Sequence, residues 1–143
     1  METAARLSYK DLADGMACDR GYVVTPAVYE NFQRAFADRN PLHVDAEYAR
    51  SLGFDGPVMH GAILNGFVSH FVGMVFPGAH SLLLSTELRF SEPVYLGDAV
   101  RLYARVAQRV DAQQVVVLHV TVVNETRGGT TATGRLQVRV TDA

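Results

Sequence analysis

The 143-residue sequence holds a single cysteine, Cys18. It can form no internal disulfide and no thiolate metal cluster, and the compartment it implies is reducing. No block of like charge occurs: 13 Lys and Arg stand against 15 Asp and Glu, giving a net charge of −2 and a pI near 6.2. A nucleic-acid partner is disfavoured, because phosphate binding needs a clustered basic face. Separated arginines could still hold one phosphorylated small molecule. No apolar run reaches the length of a bilayer span, about 20 residues. The most apolar stretch, residues 61–76, is shorter and carries Asn65, Ser69, His70 and three glycines. The first ten residues are charged and lack the apolar core of a signal peptide, so the expected location is the cytoplasm, with no membrane contact. Helical zinc spacing, a phosphate-cradling glycine loop and a nucleophile-elbow serine are all missing, and no metal is expected. No repeat, low-complexity stretch or long linker divides the chain, which reads as one domain over residues 1–143.

What is present is a composition 48% hydrophobic, enough to fill a core, and a change of rhythm halfway along. Residues 1–20 read as irregular, anchored by Leu7, Tyr9, Leu12 and Met16, and residues 21–24 as a short strand. Thr25-Pro26 starts a helix, with Thr as cap and Pro as first residue. Val28, Phe32, Ala35 and Phe36 form its apolar stripe, and Asn40-Pro41 stops it. Asp45 caps a short helix over residues 46–52, stopped by Gly53. The apolar segment from Gly61 to Phe76 reads as one buried helix, apolar nearly all round and so enclosed by other structure. After residue 79 the period changes to two. Leu84, Thr86, Leu88 and Phe90 share one face of a first strand. Val100, Leu102, Ala104 and Val106 alternate with charged residues in a second, and a β-branched third covers residues 115–123. Arg127-Gly128-Gly129 turns the chain into a last strand over residues 131–140. Four consecutive strands with short turns predict an antiparallel sheet curled around the apolar helix.

Two pieces carry chemistry. Asp38-Arg39-Asn40-Pro41-Leu42-His43 sets a carboxylate and an imidazole five positions apart around an Asn-Pro turn. Such a pair suits general acid/base work, since one group can take a proton while the other gives or orients one. The competing reading is an ordinary turn after a helix, and chemistry alone does not separate the two. His60-Gly61 opens the apolar helix. Helix starts leave N–H groups unpaired and partly positive. A glycine lets a substrate oxygen reach one, and such a donor is typically worth about 100- to 1000-fold in rate. The plainer reading of Gly61 is close packing. His60 reads as a capping residue rather than a ligand-facing one. Ser69 either bonds back to the Asn65 carbonyl or contacts the catalytic loop or substrate. His70 and His80 are expected at a surface or partner interface, and His119 as a satisfied sheet residue.

Asp38-x-Asn40-Pro41-x-His43, the acidic Asp45 and His60-Gly61 together resemble, in order and separation, the MaoC-like family of (R)-specific enoyl-CoA hydratases. The likeness extends to Val23-Val24-Thr25 and to the segment Phe90-Ser91-Glu92-Pro93-Val94-Tyr95-Leu96-Gly97-Asp98. The resemblance implies an α+β hot-dog fold, a curved antiparallel sheet wrapped around one long helix, assembled as a homodimer with sites near the interface. It implies Asp38 and His43 as the acid/base pair and Gly61 as the oxyanion N–H. Asn40, Ser69 and His60 would stand in supporting or substrate-binding positions. The chain departs from the pattern at Ala37, often Gly in relatives, and at Ala62 and Asn65 on the helix, which bear on acyl preference.

The implied reaction is reversible addition of water to a trans-2-enoyl-CoA, giving an (R)-3-hydroxyacyl-CoA. Asp38 is assigned as the base, and no cofactor is expected because the thioester itself makes C3 electrophilic. The same site would serve a 3-hydroxyacyl-acyl-carrier-protein dehydratase of fatty-acid or polyketide synthesis. Two further readings are a thioesterase and a non-catalytic acyl-CoA-binding subunit. The Asp-x-Asn-Pro-x-His loop speaks against the first, and the intact Asp38, His43 and Gly61 against the second.

Overall fold

Thr25-Pro26 opens a helix for the reason its residue types give. In the computed structural model, which describes residues 1–142, α1 runs over Pro26–Phe36 and Thr25 Oγ1 accepts the Val28 N–H. The helix ends at Ala37 in the left-handed conformation, φ 55°. A side chain there costs about 1 kcal/mol. Ala37→Gly is therefore expected to raise the unfolding free energy by up to about 1 kcal/mol in chemical denaturation.

The loop expected next contains a helical turn, α2, Pro41–Val44, capped by Asn40, whose Oδ1 accepts the Leu42 N–H at 3.0 Å. Asp45 closes α2 and caps α3, Ala46–Ser51, through the Tyr48 N–H, as expected. The apolar helix is α4, Gly61–His70, and its last part is wound as a π-helical turn, Phe71–Val75, rather than as continuous α-helix. Nor is it enclosed all round. Ile63, Leu64, Val68, Phe71 and Val72 are buried, while Ala62, Gly66 and Ser69 are exposed along one side.

The sheet has five antiparallel strands: β1 Ala17–Val23, β2 Ser81–Phe90, β3 Ala99–Val110, β4 Val115–Asn124 and β5 Thr130–Val140. Their order is β1-β3-β4-β5-β2. Two expectations change here. β1 is longer than the short strand expected and takes in residues read as irregular. β2 is no neighbour of β3: residues 91–98 carry the chain across the end of the sheet, and β2 pairs with β5 on the far side. The alternation in β3 and β5 is as read and β4 alternates likewise, with Leu102, Val106, Leu118, Val122, Leu136 and Val138 turned into the core. In β2 a bulge between Leu83 and Ser85 resets the phase. Leu83 and Leu88 pack on the core, whereas Leu84 and Phe90, expected on the buried face, are about half exposed. Gly134 lets β2 lie close, since a Cβ there would collide with the Glu87 carbonyl.

The crossing segment is pinned by Asp98, which is 2% exposed. Its carboxylate accepts the Tyr95 N–H at 3.0 Å, the Asn124 Nδ2–H at 2.9 Å and the Arg127 Nε–H at 3.1 Å. The Arg127 guanidinium lies 4.1 Å over the Tyr95 ring and reaches Asp55, whose N–H is in turn bonded to the Tyr95 hydroxyl. Removing Asp98 leaves buried donors unpaired. Asp98→Ala is expected to cost about 2–4 kcal/mol in urea denaturation, the partial exposure of Arg127 keeping it below a fully buried ion pair.

Candidate active site

Asp38 lies between α1 and α2, His43 within α2, and His60-Gly61 at the start of α4. The fold gathers all four. His43 Nε2 and Asp38 Oδ2 are 4.0 Å apart, and His60 Nε2 is 4.0 Å from the same oxygen. The two imidazoles meet at a tilt of 32° with ring centres 3.9 Å apart.

The protonation pattern follows from the partners. His43 Nδ1 is 2.7 Å from the Val58 carbonyl oxygen. A carbonyl only accepts, so Nδ1 carries the hydrogen, and in the neutral imidazole Nε2 presents a lone pair. Tyr29 on α1 donates its hydroxyl to the His43 carbonyl at 2.6 Å and accepts from Gln33 at 2.8 Å. Burial pushes the Tyr29 hydroxyl pKa up, which keeps it a donor. Asp38 Oδ1 accepts the Asn40 N–H at 3.2 Å, leaving Oδ2 free on a side chain about 50% exposed. Asn40 also takes the His43 N–H on its own carbonyl at 2.8 Å, so it shapes the loop from both ends.

Two acceptors 4.0 Å apart suit one water molecule. At ordinary hydrogen-bond lengths of about 2.8 Å to each, the angle at the water oxygen is near a right angle, close to that between its own hydrogens. The water then donates to both side chains, and its oxygen lone pairs face away from them.

His43 and His60 line a cavity of about 270 Å³, and Asp38 stands behind them outside the lining. Its walls are mostly apolar, among them Phe54, Met59, Ile63, Leu64, Phe90 and Val94. Gly61 is part of the lining. As a first-turn residue its N–H has no partner within the helix, and no backbone carbonyl among the described residues accepts it. A Cβ on Gly61 would stand 2.9–3.2 Å from three atoms of the Phe90 ring. The packing explanation thus holds at this residue, and the N–H is left without a backbone partner.

His60 departs from its expected role. It occupies the cap position, but its side chain makes no cap hydrogen bond. Its Nε2–H donates instead to the Asp38 carbonyl at 2.8 Å, and Nδ1 is buried without a partner. One oxygen and two ring nitrogens of Asp38, His43 and His60 lie within 4.8 Å of one another. These are metal-ligand types, gathered from positions whose sequence spacing gave no hint of it. His60 Nε2, however, is already committed to the Asp38 carbonyl. Ser69 is not brought in. It is exposed, outside the cavity lining and roughly 12 Å along α4 from Gly61. No hydrogen bond to Asn65 is formed by its side chain. His70 instead joins Tyr22 and Glu2, at 2.9 and 3.2 Å.

Three supports escaped sequence reasoning: Tyr29, the Val58 carbonyl and the ring of Phe90. Tyr29 is a half-buried aromatic beside the α1 stripe with no local mark of a role, and a backbone carbonyl carries no side-chain mark at all.

A profile of the MaoC-like domain matches residues 13–127. The chain belongs to this family. Among relatives, it is similar to the (R)-specific enoyl-CoA hydratase of Aeromonas caviae, 33% identical over 104 residues, which cover 72% of this chain and 76% of that one. It is also similar to the mitochondrial 3-hydroxyacyl-[acyl-carrier-protein] dehydratase of Arabidopsis thaliana, 40% identical over 63 residues, or 44% of this chain and 37% of that one. The structure of the unliganded R-hydratase PhaJ1 from Pseudomonas aeruginosa superposes with a TM-score of 0.88 at 25% identity, covering 98% of this chain and 89% of that one. The MaoC-like chain has the hot-dog fold expected of it and is an enzyme of the hydratase and dehydratase class.

Proposed function

We propose that this MaoC-like chain is an (R)-specific enoyl-CoA hydratase. The observation that carries the reading is the paired acceptors Asp38 Oδ2 and His43 Nε2, 4.0 Å apart, beside the same apolar cavity that Gly61 lines. A water held between the pair attacks C3 of the enoyl thioester. The C–O bond forms, a water proton passes to Asp38, and the C2=C3 electron pair moves toward the thioester oxygen as an enolate. The Gly61 N–H donates to that oxygen. The proton is then returned to C2, directly or through His43. The two hydrogens of water end on C2 and on the 3-hydroxyl, and Asp38 leaves as it entered. The thioester supplies the electrophile, so the reaction calls for neither redox cofactor nor metal.

Crotonyl-CoA is the test substrate: its enoyl absorbance should fall without release of free thiol, and thiol release would favour hydrolysis instead. The cavity is small and mostly apolar, so specificity constants are expected to fall as the acyl chain outgrows it, read from a panel of enoyl-CoAs of increasing length.

A second reading is favoured by the similarity to the carrier-protein dehydratase. The same groups run in reverse would dehydrate a 3-hydroxyacyl group on an acyl carrier protein, and comparing rates on CoA and carrier-protein thioesters separates the two. The unpaired Cys18 suits a cytoplasmic setting. Homodimerisation is part of the proposal. β2 is an edge strand with Leu82 and Leu84 exposed, and α4 leaves Ala62, Gly66 and Ser69 uncovered. Such an edge invites pairing with another chain. Sedimentation equilibrium at twice the chain mass is the expected result.

A further inference from the structure

We infer that His60 is a positioning residue that sets the water-holding pair in register with the oxyanion donor; this rests on the hydratase reading above. Three contacts meet in this one residue. Its Nε2–H donates to the Asp38 carbonyl at 2.8 Å and so holds the peptide that carries the base. Its ring backs that of His43 at 3.9 Å, with Phe32 packed at 4.6 Å and Tyr29 at 6.0 Å. Its own peptide bond presents the Gly61 N–H. The spacing between attacking water and thioester oxygen is thereby fixed through a single residue at the head of a packed helix.

The orphaned Nδ1 argues that His60 is not there for stability. The residue is 3% exposed, and a buried acceptor without a donor is unfavourable. An apolar ring would fill the same space without that cost. What only the imidazole adds is the Nε2–H directed at Asp38.

His60→Phe separates the two roles, since it keeps a ring and removes the donor. The expected result is a kcat on crotonyl-CoA lowered by about 10- to 100-fold, with KM within about threefold and thermal stability equal to or above wild type. The His43 and Asp45 amides, bonded to the Asn40 and Pro41 carbonyls, should exchange hydrogen about tenfold faster or more, while exchange in the sheet stays unchanged. His60→Gln, which retains a side-chain N–H, should recover part of kcat. A His60→Phe enzyme with wild-type kcat overturns the inference. So does a loss of rate accompanied by lower thermal stability and faster exchange throughout the sheet, the mark of a merely structural residue. If the wild-type chain hydrates no enoyl thioester, the hydratase reading fails, yet the exchange contrast between wild type and His60→Phe still decides whether His60 anchors the loop.

Discussion

Asp38→Asn and His43→Ala are each expected to lower kcat for crotonyl-CoA hydration by about 100- to 10,000-fold. KM should move little, because neither side chain forms a wall of the acyl cavity beyond the edge that His43 contributes. Asparagine keeps the shape of Asp38 but turns one acceptor position into a donor, so the water loses a partner and its proton loses a destination. Alanine at 43 removes the lone pair that faces Asp38 and also empties the space behind the His60 ring. The double variant should be little worse than the poorer single one, since the pair acts on one water and cannot be disabled twice. Initial rates from enoyl absorbance, with circular dichroism to verify folding, decide the matter. Wild-type rates in both variants would remove the acid/base assignment.

Gly61→Ala is expected to cost about 100-fold or more in kcat. The new methyl meets Phe90 ring atoms at 2.9–3.2 Å. Phe90 is about 52% exposed and ends β2, so the ring can turn aside and the protein should still fold. The methyl then sits beside the N–H proposed for the oxyanion. Gly61→Ala combined with Phe90→Ala distinguishes the two consequences. Rate restored by the second change would mean that the displaced ring blocks the cavity and that the N–H itself is unhindered. Rate still low with stability restored would mean that access to the N–H is what glycine protects.

The legible parts of this molecule were those in which side-chain type sets local geometry. Thr25, Pro26 and Asp45 mark helix ends because each satisfies or lacks a backbone group, and all lie where those rules place them, whereas Asn40-Pro41, read only as a stop, also opens α2. The strict alternation of β3 and β5 exposed their two faces. The order of strands was not legible, because nothing local in residues 91–98 distinguishes a turn back from a passage across the sheet. The bulge in β2 was equally silent, and it reversed the faces of Leu83 and Leu84. At the site, Asp38, His43 and Gly61 announce themselves by chemistry. Their supports act through the Val58 carbonyl and the Tyr29 hydroxyl, groups whose neighbours are set only by the tertiary fold.

The passage of β2 to the far side of β5 governs the order in which this protein can assemble. α4 and β2 leave the ribosome as neighbours, but the strand that β2 must join is the last one made. At synthesis rates of about 5–20 residues per second, the apolar side of α4 waits several seconds for a complete sheet to close over it. Every group proposed for the chemistry, from Asp38 to Gly61, is already synthesised during that interval. An interruption of translation between Gly61 and Thr130 would leave a chain that carries Asp38, His43 and Gly61 in sequence but lacks β5, the strand on which β2 pairs.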